Sequence, residues 1–65
     1  MKIHVNGSFT IYQSEEIYID DYEIEDMTQT ELEEHLDKIV NEWTERNKRV
    51  LSADEYGDIG YEILD

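Results

Sequence analysis

TQTELEEHLDKIVNEWTERNKRVL, residues 28–51, is the stretch whose reading decides the fold. Its apolar residues are Leu32, Leu36, Ile39, Val40, Trp43, Val50 and Leu51. The first five of them, at offsets of four, seven, eight and eleven from Leu32, trace one stripe of an α-helix. Thr28 is placed to cap the first free amides and Glu31 to reach back to it as a capping box, with Met27 and Leu32 set for a hydrophobic staple. Glu31, Glu33 and Glu34 fall at the positive end of the helix dipole, and Arg46, Lys48 and Arg49 near the negative end. Glu34–Lys38, Glu42–Arg46 and Glu45–Arg49 are acid-first i,i+4 pairs, worth about 0.2–0.5 kcal/mol each. Pattern, cap and charge agree, so the spacing predicts one long amphipathic helix over residues 28–51, about 36 Å long. Asn47 interrupts the stripe and predicts a bent or frayed last turn.

Ahead of the helix the period changes from helical to alternating. Odd positions from 3 to 11 read Ile3, Val5, Gly7, Phe9, Ile11, and even positions from 2 to 12 read Lys2, His4, Asn6, Ser8, Thr10, Tyr12. This is a strand with one apolar face. Asn6-Gly7 is a hairpin signal, but a two-residue turn there would set Val5 against Ser8 and mix the faces. A three-residue turn, pairing Val5 with Phe9, keeps the faces intact, and so does one long strand with a bulge at Gly7. Ile17-Tyr18-Ile19 reads as a second strand. A loop at Gln13-Ser14-Glu15 would pair Ile11 with Ile17 and Phe9 with Ile19. The preferred expectation is an antiparallel hairpin of residues 2–12 and 16–24, with the parity change at Tyr22 and Ile24 marking a bulge or the strand's end. Beyond the helix, Ser52-Ala53-Asp54-Glu55 repeats the capping-box pattern and predicts a short helical turn, stopped by Gly57 and Gly60. Ile59, Tyr61 and Ile63 alternate as a short C-terminal strand over 59–64. The expected fold is a single α+β domain, residues 1–65, with one helix on a small antiparallel sheet.

A chain of 65 residues buries only about 60% of the surface it exposes when unfolded, so its core is thin. It has no cysteine, which excludes disulfides and thiolate zinc, and leaves self-association, a possible homodimer, as support. No apolar run is long enough for a bilayer and no signal peptide is visible, so the expected location is the cytoplasm.

Eighteen Asp and Glu against five Lys and Arg give a formal charge of −13, which disfavours direct contact with nucleic acid or anionic membranes and favours basic protein surfaces. The acids are concentrated. Glu15, Glu16, Asp20, Asp21, Glu23, Glu25, Asp26, Glu31, Glu33, Glu34 and Asp37 share a window without lysine or arginine. Strand neighbours at i,i+2 lie about 6.6 Å apart and helix neighbours about 5–6 Å, spacings somewhat like those of backbone phosphates. A folded surface of this kind suits a basic, nucleic-acid-binding site. The competing reading is that the charge serves only solubility. Tyr12, Tyr18, Tyr22, Tyr56 and Tyr61 exceed what a small core absorbs, and tyrosines among acids make good interface anchors. The candidate partner-binding residues are Glu16, Asp20, Asp21, Glu23, Glu25, Asp26, Glu31, Glu33, Glu34 and Asp37 with Tyr18 and Tyr22. Val50 and Leu51 are the candidates for an oligomer interface, joined by Trp43, which reads first as core and becomes an interface residue if the sheet is too narrow to cover it.

Other chemistries find little in the sequence. The acid spacing over 20–25 and 54–62 is not that of an EF-hand, and His4 and His35 stand outside any HExxH frame. No nucleophile elbow, phosphate loop or cysteine–histidine set is present. No catalytic, cofactor or metal site is expected, and the protein is not expected to be an enzyme.

EEIYIDDYEIED at 15–26, MTQTELEEHLDKIVNEW at 27–43 and GYEIL at 60–64 run in the order of acidic hairpin end, capped helix with a late tryptophan, and glycine–aromatic tail. In this layout, over most of its length, the chain resembles small acidic proteins encoded by bacteriophages of Gram-positive hosts. The resemblance implies an anti-defence or host-takeover protein, of a kind that includes DNA mimics, acting in the host cytoplasm. It assigns no role to individual residues. The alternative kept open is a structural homo-oligomer.

Overall fold

A computed structural model of the chain describes residues 1–64. Its elements run β1 (Lys2–Ser8), β2 (Tyr12–Tyr18), α1 (Asp21–Ile24), α2 (Gln29–Val50) and β3 (Gly57–Ile63). The strands form one antiparallel sheet in the order β2-β1-β3, and α2 covers one face of it. This is the expected α+β arrangement of hairpin, long helix and C-terminal strand.

Sheet and helix meet through the two periodicities. Ile3 and Val5 of β1 are fully enclosed and, with Ile19, Leu36, Val40 and Trp43, make the core. Phe9, Ile17, Leu32, Ile39, Ile59 and Tyr61 pack around it half-buried. Thr44 is the one buried polar side chain among the described residues, and its hydroxyl donates to the Val40 carbonyl at 2.8 Å, one helical turn back.

The hairpin register differs from the preferred expectation. Ile3 pairs with Ile17, Val5 with Glu15 and Gly7 with Gln13, so the loop is Phe9-Thr10-Ile11, not Gln13-Ser14-Glu15. Both registers pair odd residues with odd, so both keep the apolar face intact. What favours the observed loop is Phe9, whose ring leaves the strand to pack on Trp43 at 5.8 Å and Tyr56 at 6.2 Å between centroids. Asn6-Gly7 is strand, not turn. The irregularity lies in the facing ladder: Asn6 pairs with Gly60 but Ser8 with Gly57, so β3 carries one extra residue there. Asp58 takes the left-handed conformation at that point, with φ 52°. Gly7 is required for contact: an added Cβ would lie 2.4 Å from Ile59 Cδ1.

The second strand ends at Tyr18 and not near 24. Asp20 caps a helical turn, α1, by accepting from the Tyr22 amide at 3.0 Å, which accounts for the parity change. The long helix starts as read: Thr28 Oγ1 accepts from the Glu31 amide, and Glu31 Oε1 accepts from the Thr28 amide, both at 3.2 Å. Asn47 does not fray its end; its amide donates to the Trp43 carbonyl at 2.9 Å and the helix continues to Val50. The expected helical turn at Ser52 is absent. Ser52 instead follows the C-cap in left-handed geometry (φ 53°), while the Ala53 amide donates to Lys48 O and the Ser52 amide to Arg49 O, a Schellman closure with serine where glycine is usual. None of the three predicted i,i+4 ion pairs closes within 4 Å; Arg46 reaches Glu15 of β2 at 3.7 Å and Lys48 reaches Glu45 at 4.0 Å.

Candidate functional site

The chain path gathers acids at one end of the molecule. Strand β2 finishes there, α1 and its turn follow, and α2 begins. Asp20, Asp21, Glu23, Glu25 and Asp26 lie on this connection, and Glu31, Glu33 and Glu34 on the first turns of α2; all are solvent-exposed. Three of them already serve the fold. Asp20 caps α1, Glu31 closes the capping box, and Asp21 takes the N-terminal ammonium at 2.6 Å. Glu23 stands 3.9 Å from His35 Nε2, and Glu33 accepts from the Gln29 amide group at 3.3 Å. Glu25, Asp26, Glu34 and Asp37 have exposed carboxylates.

The predicted acids do not form one plane. Glu16 and Tyr18 alternate with Ile17 and stand on the sheet face away from α2, where Glu16 lies 3.8 Å from Lys2 Nζ. Glu34 and Asp37 lie on the outer side of α2, behind the opposite sheet face. The connection carrying residues 20–26 bridges the two, so the negative charge wraps an end of the molecule. Tyr18 and Tyr22, exposed at 73% and 83%, stand in this wrap. The chain measures 37 × 18 × 17 Å, and Arg46, Lys48 and Arg49 belong to the other end of α2.

The oligomer candidates divide. Trp43 is only 2% exposed and lies inside the core, because Gly7 and the bulged β3 let the sheet close over it; it is not available to a partner. Val50 is 76% exposed and Leu51 half-buried.

One feature of the surface was not legible as a site in the sequence. Between the outer strand β2 and α2 runs a groove of about 340 Å³, floored by Ile17, Ile39 and Trp43 and rimmed by Glu15, Glu42, Arg46 and Arg49. Its walls come from segments more than twenty residues apart, and only the observed hairpin register brings Ile17 under Ile39. A larger hollow, about 510 Å³, is lined by side chains of α2 alone, from Glu34 to Arg49; it is a trough open along the helix and excludes no water.

Among the described residues no group of three or more His, Asp and Glu is arranged to hold a metal ion, and no helix is long and apolar enough to cross a membrane. Compared with protein-family models, curated proteins and solved structures, the chain matches none.

Proposed function

We propose that this protein is a small acidic interaction module, an inhibitor whose negative end occupies a basic, nucleic-acid-binding site on a host or defence protein. The observation that supports this reading is the wrap of exposed carboxylates from Asp20 to Asp37 around one end, with Tyr18 and Tyr22 projecting from it and Arg46, Lys48 and Arg49 held at the other. An end with carboxylates on several sides suits a cleft that surrounds its ligand, such as a nucleic-acid channel, better than a flat surface. The tyrosines supply contact area at low entropic cost, and the charge steers the encounter.

The test is capture from a bacterial lysate, followed by a nucleic-acid-binding assay on the captured protein. Binding should weaken steeply between about 0.1 M and 1 M salt, as the screening length falls from about 10 Å to about 3 Å. The wild type should displace nucleic acid from the captured protein, and the Glu25→Lys, Asp26→Lys, Glu34→Lys, Asp37→Lys variant, which leaves the caps and the N-terminal ion pair intact, should not. Equal displacement by that variant would refute the reading. A second reading, a structural homodimer, is favoured by the exposure of Val50, with Ile11 and Tyr12 also exposed. It requires a dimeric mass by light scattering that Val50→Lys reduces to the monomer, with little salt effect.

A further inference from the structure

The two edges of the sheet are treated differently. On β3 the ladder is broken by an extra residue, with Asp58 left-handed opposite Gly7 and Ser8. Such a bulge turns an edge away from further pairing. On the other side β2 pairs with β1 in unbroken register from Tyr12 to Tyr18, with no bulge, proline or lysine along it. No backbone hydrogen bond joins its outer edge to any other element among the described residues. A straight, seven-residue edge of this kind is a template for another strand.

The chemistry beside that edge specifies what fits. A strand added about 4.8 Å beyond β2 would point alternate side chains into the groove, against Ile17 and Ile39. The other side chains would fall beside Tyr12, Glu16 and Tyr18 on the open face, where both tyrosines are more than half exposed. Glu15 and Glu42 share the groove rim with Arg46 and Arg49, so the rim is balanced. The preference for a basic strand comes from Glu16 on the outer face, 60% exposed beside Lys2, and from the net charge of −13. A second copy of this chain is a poor occupant. Antiparallel self-pairing of β2 centred on Glu15 or on the Glu15–Glu16 bond sets glutamate against glutamate, on top of −13 for each copy.

We propose that the outer edge of β2 is a strand-addition site for an extended partner segment in which apolar residues alternate with lysine or arginine. The apolar side chains enter the groove at Ile17 and Ile39, and the basic ones meet Glu16 between the two tyrosines. The site adjoins the acidic end and shares Tyr18 with it, but it uses none of residues 20–37 and stands without the inhibitor reading.

The probe is a blocked seven-residue peptide of alternating valine and lysine, added to the intact protein in about 0.15 M salt, with amide hydrogen exchange read residue by residue. Exchange should slow at alternate amides of β2 and stay unchanged in β3. A peptide methylated at every amide keeps its charge but cannot pair, and should bind at least about tenfold more weakly. Glu15→Lys with Glu16→Lys should weaken the unmethylated peptide by a similar factor. The four-lysine variant of the acidic end should still show slowed exchange at β2, which separates failure of this site from failure of the inhibitor reading. Equal binding of the methylated peptide, no binding at about 1 mM, or slowed exchange at residues 20–37 in place of β2 would each overturn the proposal. So would a dimer of the protein alone, already protected along β2.

Discussion

Replacing Gly7 by alanine tests the packing on which the sheet–helix interface depends. A Cβ at this position would lie 2.4 Å from Ile59 Cδ1, 3.1 Å from Phe9 Cε2 and 3.3 Å from Trp43 Cζ3. Ordinary carbon contacts are about 3.5–4.0 Å. The end of the Ile59 side chain can swing aside on its own. Phe9 and Trp43 cannot move as freely, because each ring packs on the other and Trp43 is enclosed. Overpacking of this kind costs about 1–3 kcal/mol. Gly57 is the internal control: a Cβ there meets nothing within 4 Å, and neither glycine has a positive φ. Gly57→Ala should therefore be neutral or stabilising by about 0.4–1 kcal/mol, through the unfolded chain. Thermal unfolding followed by circular dichroism reads both, at about 4–8 °C per kcal/mol for a domain of this size. Gly7→Ala should melt at least about 4 °C below the wild type and further below Gly57→Ala. Equal midpoints for the two variants would show that the space above Gly7 is not filled, and the account of how Trp43 is buried would fall.

Three further outcomes follow from named contacts. Leu36→Ala removes an enclosed side chain from the middle of the core and should cost about 2–5 kcal/mol by urea unfolding; a loss below 1 kcal/mol would mean that α2 does not dock through Leu36. Thr28→Ala breaks the capping box and should cost about 1 kcal/mol, with Thr28→Ser close to wild type as the check that the hydroxyl is responsible. Ser52→Gly should raise stability by about 1 kcal/mol, because serine pays for a left-handed backbone that glycine adopts freely; no gain would argue against the Schellman closure of α2.

The sequence by itself determined the helix, its capped start and the class of fold. Each of these is written in short-range terms: the stripe from Leu32 to Trp43, the Thr28–Glu31 reciprocity, and the alternation that marks Ile3 and Val5 as one face. It also determined that the carboxylates of residues 20–37 would stay exposed, since a window without a single lysine or arginine offers them no local partner for burial. The hairpin register belonged to tertiary structure. Alternation repeats every two residues, so pairing Ile17 with Ile11 or with Ile3 satisfies it equally. Trp43, held over β1 by the helix, offered Phe9 a place to pack and drew the turn to residues 9–11. The end of β2 was decided by Asp20, whose carboxylate caps α1 where the local pattern still allowed a strand. From that register follow the straight outer edge of β2, the groove under Ile39, and the splitting of the acids between two faces. A side chain's face is a local property with a period of two or 3.6 residues, but its neighbours across the fold depend on where distant segments find room.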